Sequence, residues 1–423
     1  MSNSKPGASK HKVASTTVDS VQWILVLILL LFSALMPFVP DYLSFTTVGF
    51  SLAFALLAML RCAKVAMTGI VSPNLSDMSL LLFYGVCVLT LPLSLLNDIE
   101  IGTWIRALVP FLFLGTHFFF PKIRDDKDIS RLIDFLHIAT CLWLMKVILR
   151  VWEVKAQILA GEAARLTYLV DELQIPFALI GFTTSLFGLT KITSRLRYVL
   201  IFLFLSLVIW AGYRSQILLA VIVLFGYWGQ KGKLKQNLVF TALGSTVIIC
   251  AVWLVSPSFF DTFVGRFESI NEEVNSTRAL ELEYALDKFT DSPIFGKGLG
   301  YPVPIEITYA GDQSRIALSE TPYVTYTHNV LGYMLMNLGA IGLLFYSLFF
   351  ALPVLSRPNG NTFISNTRSL AIALIALLLS MFLVQATFRQ IQTNVVLALL
   401  IHILSFDNAA TLKRCTPKTQ NSS

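Results

Sequence analysis

The sequence predicts an all-α integral membrane protein with about twelve transmembrane helices, since apolar runs near the bilayer-crossing length of about 20 residues recur along it. Composition supports this prediction. Of the 423 residues, 55% are hydrophobic and only 13% are charged, and the mean hydropathy is +0.71. A water-soluble chain of this length would need more charge to cover its surface.

The apolar runs define the organisation of the chain. They lie at residues 21–38, 43–60, 78–96, 101–120, 132–151, 174–190, 198–212, 215–229, 238–255, 328–352, 369–387 and 393–406. The chain then divides into a tail at 1–20, helices one to nine at 21–255, a polar loop at 256–327, helices ten to twelve at 328–406 and a tail at 407–423. The N-terminal region lacks a small-residue cleavage site, which predicts a retained first helix.

The basic residues predict the orientation. Most of the 32 Lys and Arg residues lie in alternate connecting segments, and the positive-inside rule assigns those segments and both termini to the cytoplasm. The large loop at 256–327 then lies on the opposite, non-cytoplasmic side of the membrane. Clustering of the basic residues between apolar runs also argues against nucleic acid as a partner, despite the net charge of +7. The five cysteines form no CxxC pair, so neither a zinc site nor a disulfide framework is predicted.

The large loop contains a predicted helix at residues 278–289. Its apolar face would consist of Leu282, Ala285, Leu286 and Phe289, which follow helical spacing. Pro293 follows the predicted helix, and three glycines at 296, 298 and 300 predict a tight turn.

His328 and Asn329 stand where this loop meets the tenth apolar run. Of the five histidines, His328 alone is expected at the outer membrane edge beside the loop. Imidazole titrates near neutral pH, which makes His328 the candidate general base. The alternative is that His328 and Asn329 only cap the helix. A metal site is not predicted, because no second histidine lies nearby in the sequence.

Arginines near the outer membrane edge are candidates for binding an anion. Arg214 lies between two short apolar runs, where a charge is costly and therefore a functional candidate. Guanidinium groups bind phosphate oxygens bidentately. The alternative is that these side chains reach to the interface or pair with loop carboxylates. The remaining candidates are Arg278, Arg266, Arg315, Arg389, Arg150 with Lys146, and Arg106, for which a structural ion pair is an equal alternative.

Three sequence blocks resemble the O-antigen ligase and O-antigen polymerase superfamily of bacterial polytopic membrane glycosyltransferases. They are Ala-Gly-Tyr-Arg-Ser-Gln at 211–216, the arginine-led segment 278–300, and Thr-His-Asn at 327–329 followed by Gly339 and Gly342. The resemblance implies transfer of a glycan from undecaprenyl pyrophosphate at the periplasmic face of the inner membrane, without metal, nucleotide or other cofactor.

The resemblance also implies roles for individual residues. Arg214 and Arg278 would hold the pyrophosphate leaving group, while His328 would activate the acceptor hydroxyl or orient the phosphate. The set expected to bind substrate comprises Asn329, Arg266, Arg150, Arg389 and Tyr213.

The acceptor is predicted to be lipid A-core, as in a ligase. Such ligases often carry a second histidine before the His-Asn pair and an acid soon after it, whereas this chain has Tyr326 before the pair and Gly332-Tyr333 after it. A polymerase that joins lipid-linked repeat units is therefore the alternative. A third possibility is a transporter of lipid-linked sugars, but the chain lacks the internal repeats and mid-membrane charges typical of transporters. A purely structural scaffold would leave Arg214 unexplained.

Overall fold

A computed structural model describes residues 7–37, 44–68, 74–159, 170–188, 190, 192–211, 213–230, 274–308, 321–356, 362–383 and 385–415. Within these residues the chain is helical almost throughout. The described strands are β1 (Val303–Pro304) and β2 (Tyr323–Val324), which form one short antiparallel pair. The prediction of a mostly helical protein is confirmed.

The described α-helices overlap the predicted apolar runs, although several extend well beyond them and three lie in the connecting segments. The helices are α1 (Gly7–Leu35), α2 (Phe45–Thr68), α3 (Leu75–Leu89), α4 (Leu91–Leu96), α5 (Ile101–Leu112), α6 (Thr116–Phe119), α7 (Asp126–Glu153), α8 (Lys155–Leu159), α9 (Phe177–Phe187), α10 (Ser194–Trp210), α11 (Arg214–Gln230), α12 (Val274–Asp291), α13 (Ile305–Thr308), α14 (Val330–Leu355), α15 (Thr362–Phe382) and α16 (Ile391–Cys415). Short 3-10 turns cover Phe113–Gly115, Asp171–Gln174 and Ala386–Arg389.

Five of the described helical segments are long and apolar enough to cross a membrane. They are Phe45–Ala66, Leu75–Leu96, Ile101–Phe119, Asp126–Glu153 and Val330–Leu355. Shorter apolar helices include Phe177–Phe187 and Ile391–Ser405. A membrane-embedded helical protein is thus supported, while the count of twelve spans stays a prediction. The ninth predicted span, 238–255, and much of the predicted loop lie outside the described residues.

An aromatic core joins α14 to its neighbours. The ring of Phe111 on α5 lies 5.7 Å from Phe83 on α3, 6.1 Å from Tyr333 on α14 and 6.2 Å from Phe388. Asn394 on α16 fastens the same region, because its Nδ2 donates to the carbonyl oxygens of Pro110 and Phe388, each at 2.8 Å. The core therefore fixes the start of α14 relative to the turn that contains Phe388.

Helix α14 is broken at Gly339, whose backbone has φ 65° and ψ −167°. The segment 293–298 enters the break and completes its hydrogen bonds. Lys297 N donates to Met336 O at 2.8 Å and Gly298 N to Asn337 O at 3.0 Å, while Ala340 N donates to Pro293 O at 2.9 Å. A Cβ at position 339 would collide with the backbone of Ile294. Irregular backbone inside a membrane protein is tolerated where protein satisfies its polar groups, as this loop segment does.

The loop helix α12 packs against the first turns of α14. A Cβ built at Gly332 would lie 3.2 Å from the Cβ of Ala285, so the two helices approach closely there. The predicted apolar face of α12 is only partly right, since Ala285 is buried but Leu286 is 41% exposed. The buried face instead includes Glu281, which is a charged residue and was not part of the predicted face. The helix is also longer than predicted at both ends.

Candidate active site

The centre of the candidate site is a pair formed by His328 and Glu281. His328 Nδ1 lies 2.7 Å from Glu281 Oε1, and the His328 backbone N–H donates to Glu281 Oε2 at 3.0 Å. The Glu281 side chain is completely buried, whereas the His328 side chain is 21% exposed. The imidazole thus forms the accessible member of the pair, and the carboxylate is its buried support.

Arg278 lies one turn before Glu281 on α12. Its Nη1 donates to Glu281 Oε2 at 3.3 Å, and its side chain is 34% exposed. Arg278, Glu281 and His328 therefore form one connected group. Two of the three predicted catalytic residues, Arg278 and His328, meet through a carboxylate that the sequence interpretation did not name.

A second arginine, from another part of the chain, contacts a neighbour of His328. The guanidinium carbon of Arg389 lies 4.6 Å from the centre of the Tyr326 ring, within the range of a cation–π contact. The Tyr326 ring in turn lies 5.7 Å from the His328 ring in an edge-on arrangement. Arg389 Nε is buried and has no hydrogen-bond partner within the part of the chain that the structure describes. Arg389 is thus linked to His328 through the Tyr326 ring that lies between them in this chain of contacts.

Arg214 is the first residue of α11. The next residue, Ser215, accepts a hydrogen bond at 3.1 Å from Gln385 Nε2, four residues before Arg389. The backbone at Arg214 therefore starts its helix beside the segment that leads to Arg389. The Arg214 side chain, together with Arg266 and Arg315, lies outside the described residues, so their predicted roles stay predictions. Tyr213 is half-buried and packs against the hydrophobic core.

Asn329 has a structural role of its own. Its Oδ1 accepts from the backbone N–H groups of Leu331 at 2.8 Å and Gly332 at 3.3 Å, which caps the start of α14. The capping alternative considered for the His-Asn pair therefore applies to Asn329. His328 is bonded to Glu281 instead. Substrate binding by Asn329 stays a prediction.

Other basic candidates have contacts of a different kind. Arg150 forms an exposed ion pair with Glu153 at 2.6 Å. Lys146 lies 3.1 Å from Glu172 and donates to Leu35 O at 2.9 Å, so a structural role accounts for its position. Arg106 is exposed, and its Nη2 donates to Thr103 Oγ1 at 3.0 Å. The predicted substrate role of Arg150 stays a prediction, without a described contact to the His328 group.

Asp291 and Lys297 connect the end of α12 to the glycine-rich turn. Asp291 Oδ2 lies 2.9 Å from Lys297 Nζ, and the hydrogen bond from Lys297 lowers the pKa of the Asp291 carboxyl from its usual value. This ion pair therefore supports the path of the loop into the glycine-rich turn.

The geometry defines a class of site. A partly exposed imidazole supported by a buried carboxylate can accept a proton, and an arginine on the same carboxylate could bind an anion nearby. The fold around the group is that of a helical membrane protein. Together these features describe a helical protein with helices able to span a membrane and a polar His328 group near the start of α14.

Comparison with protein families then adds a particular family. Residues 199–347 match the model of the family described as O-antigen ligase, in agreement with the resemblance found in the sequence. Glu281, Arg278 and His328 lie inside the matched range, whereas Arg389 lies beyond it. The match supports glycan transfer of the ligase or polymerase type. Among curated proteins, no significant match was found.

Proposed function

We propose that this protein moves a glycan from a polyprenyl-pyrophosphate-linked donor, with undecaprenyl pyrophosphate as carrier, to an acceptor hydroxyl. The observation that carries the proposal is the connected group of Arg278, Glu281 and His328 inside the O-antigen ligase match. The acceptor that follows from the ligase description is lipid A-core. A second lipid-linked glycan would instead make the protein a polymerase.

In the proposed reaction, the acceptor hydroxyl gives its proton to His328 while its oxygen bonds to the anomeric carbon of the donor sugar. The bond between that carbon and the pyrophosphate oxygen breaks, and the electron pair leaves with the polyprenyl pyrophosphate. Arg278, with Arg214 and Arg389, would stabilise the negative charge that develops on this leaving group. Guanidinium groups suit this task because their charge persists at every physiological pH.

The proposed membrane location follows from charge distribution. Segments rich in lysine and arginine alternate with segments poor in them, which supports cytoplasmic termini and a His328 site at the periplasmic face of a bacterial inner membrane. At that face the donor and a lipid-anchored acceptor would share one leaflet. Metal ions and nucleotides have no step in the proposed reaction.

The test uses a strain that lacks this protein, complemented with wild type, Arg278→Ala, His328→Ala or Lys288→Ala. Lys288 is the matched control, since it lies on the same helix and pairs with Asp287 outside the His328 group. Lipid extracts and lipopolysaccharide from each strain are compared on gels. We expect wild type and Lys288→Ala to give lipid A-core with long glycan, whereas Arg278→Ala leaves long glycan on the polyprenyl carrier.

Other outcomes have defined meanings. Lipid A-core with a single repeat and no long chains in the deletion strain would identify a polymerase. Normal product from Arg278→Ala would remove Arg278 from the site. Normal product from His328→Ala would refute the proposed chemistry and favour a transporter, which has no need of a base at this position.

A further inference from the structure

We infer that Glu281 is a positioning residue for the proposed glycan transfer: it holds the His328 imidazole in the orientation and tautomer that make the second ring nitrogen the base. This inference rests on the proposed function and adds a residue to which neither the sequence interpretation nor the family match assigns a role. The separation of Glu281 and His328 by 47 positions in the chain hides the pair from any local motif.

The first argument is that both oxygens of the Glu281 carboxylate are engaged in hydrogen bonds. Oε1 bonds to His328 Nδ1, and Oε2 accepts from both the His328 backbone N–H and Arg278 Nη1. The carboxylate is also fully buried. Glu281 therefore has no access to a substrate and cannot itself be the base. Its contacts all lead to the two residues proposed to meet the substrate.

The second argument is the tautomer that the hydrogen bond requires. An ionised carboxylate only accepts hydrogen bonds, so the proton of a neutral His328 must reside on Nδ1. The lone pair then resides on Nε2, on the side of the ring away from Glu281. Nε2 is the atom that would take the proton of the acceptor hydroxyl, and the imidazolium formed in that step would be stabilised by the adjacent carboxylate.

The third argument concerns how the histidine is held in place. Glu281 contacts both the backbone and the ring of His328, which constrains the position of the residue as well as the rotation of its side chain. The close approach of α12 and α14 at Ala285 and Gly332 holds the two chain segments together one turn further along. Such positioning lowers the entropic cost of reaching a reactive geometry.

The charged and titratable groups around His328 determine what a pH profile reports. Glu281 faces the ring from α12, with Arg278 behind it, while Tyr326 lies beside the ring and carries Arg389 on its face. Replacing Glu281 by glutamine removes the one negative charge in this set. The protonated imidazole would then lose its stabilising partner, so the acidic limb of the activity profile should move to lower pH.

The experiment compares Glu281→Gln with Glu283→Gln, a matched change at an exposed position on the same helix. The full-length protein in detergent is given an undecaprenyl-pyrophosphate-linked glycan and lipid A-core, and initial rates are measured across the neutral pH range. We expect Glu281→Gln to lower kcat on the order of 10²-fold, the lower end of what a general base contributes. KM for the donor should change less, and the acidic limb should shift. Glu283→Gln should match wild type in kcat, in KM for the donor and in the position of the acidic limb.

A double variant separates positioning from support of the fold. Glu281 acts on the base through His328, so adding Glu281→Gln to His328→Ala should lower the residual rate far less than the ~10²-fold expected in the wild-type background; a small remaining fall is accounted for by the bond from Arg278 to Glu281. An equal fall in both backgrounds would overturn the inference. If Glu281→Gln does not yield monodisperse protein, Glu281→Asp serves in its place. An intermediate kcat is then expected, because aspartate keeps the negative charge but its shorter side chain cannot keep the 2.7 Å contact with His328 Nδ1.

The failure of this inference is distinguishable from failure of the proposed function. If His328→Ala transfers glycan at the wild-type rate, the proposed function of the site is wrong. If His328→Ala is inactive while Glu281→Gln keeps the wild-type kcat and pH profile, the site stands and only the positioning role of Glu281 is overturned.

Discussion

Two histidine–carboxylate pairs with the same separation lie in different environments in this protein. His328 Nδ1 is 2.7 Å from Glu281, and His117 Nε2 is 2.7 Å from Asp77. In the first pair the carboxylate is completely buried and the imidazole is 21% exposed. In the second pair the imidazole is only 4% exposed and the carboxylate is the more accessible member at 16%.

The surroundings of the two imidazoles also differ, and His117 is again the more enclosed of the two. The His117 ring is enclosed by aromatic rings and by His402, whose ring centre lies 5.4 Å away. His117 Nδ1 is buried without a hydrogen-bond partner within the described part of the chain. The His328 ring has Tyr326 beside it; Arg278 pairs with the carboxylate that His328 contacts, and Arg389 lies over the Tyr326 ring. A short distance between imidazole and carboxylate is therefore insufficient for chemistry; the imidazole must also be reachable and lie near charge that can hold a substrate.

The largest expected effect separates the two histidines directly. His328→Ala should reduce glycan transfer by about 10²–10⁴-fold, the usual contribution of a general base. His117→Ala should leave the rate per folded molecule within about twofold, because surface-inaccessible groups remote from the reaction act through stability. Initial rates are normalised to monodisperse protein from size-exclusion chromatography. Equal losses in both variants would abolish the distinction between the pairs.

Gly339→Ala tests how strongly the fold depends on the break in α14, which lies between the two pairs along this helix. Helix α14 begins beside His328, and its Phe349 contacts His117 beyond the break at Gly339. Gly339→Ala should cost about 3 kcal/mol, because alanine is strained at this positive φ and its Cβ meets Ile294. Thermal unfolding of the detergent-solubilised protein measures the loss. Gly85→Ala is the control, since a Cβ there meets nothing within 4 Å. An unchanged unfolding temperature for Gly339→Ala would contradict the tight contact between segment 293–298 and the break in α14.

Asp77→Asn should show the structural nature of the second pair. Asp77 also accepts the backbone N–H of Asn74 at 3.0 Å and completes a capping box at the start of α3. Loss of the charge should destabilise the fold by about 1–2 kcal/mol with no change in transfer rate per folded molecule. The midpoint of thermal unfolding and the initial rate are measured on the same preparation. A reduced rate without a lower midpoint would assign the Asp77 pair a part in the reaction.

The smallest expected effect concerns the support of Arg389. Tyr326→Ala should weaken donor binding by about 1 kcal/mol, the size of a partly exposed cation–π contact, which appears as a KM increase of several-fold. Tyr326→Phe keeps the ring under the guanidinium and should have a smaller effect. Steady-state kinetics at varied donor concentration resolve the two. A larger change in kcat than in KM would mean that Tyr326 acts on His328.

The sequence predicted most helices because their apolar length is a local property. It also singled out His328, Arg278 and the glycines near 296–300 and 339, since each is unusual for its position. It could not predict Glu281, because helical periodicity favoured a face with Leu286, while packing against α14 turned the helix so that Glu281 is buried and Leu286 is exposed. Nor could it show that the glycine-rich turn fills the break at Gly339, since that contact depends on tertiary packing.

The hydrogen bonds between residues 293–298 and the broken helix α14 determine where this protein can be cut when segments are exchanged with relatives. The turn supplies backbone hydrogen bonds to α14, while α12, just before the turn, supplies the buried carboxylate that meets His328. A chimera joined between the loop and α14 would therefore combine the 293–298 turn of one protein with the α14 of another, whose break at the position of Gly339 need not fit that turn. Residues 278–341 are the shortest stretch that contains all of these contacts, so a graft from a relative should carry this block whole.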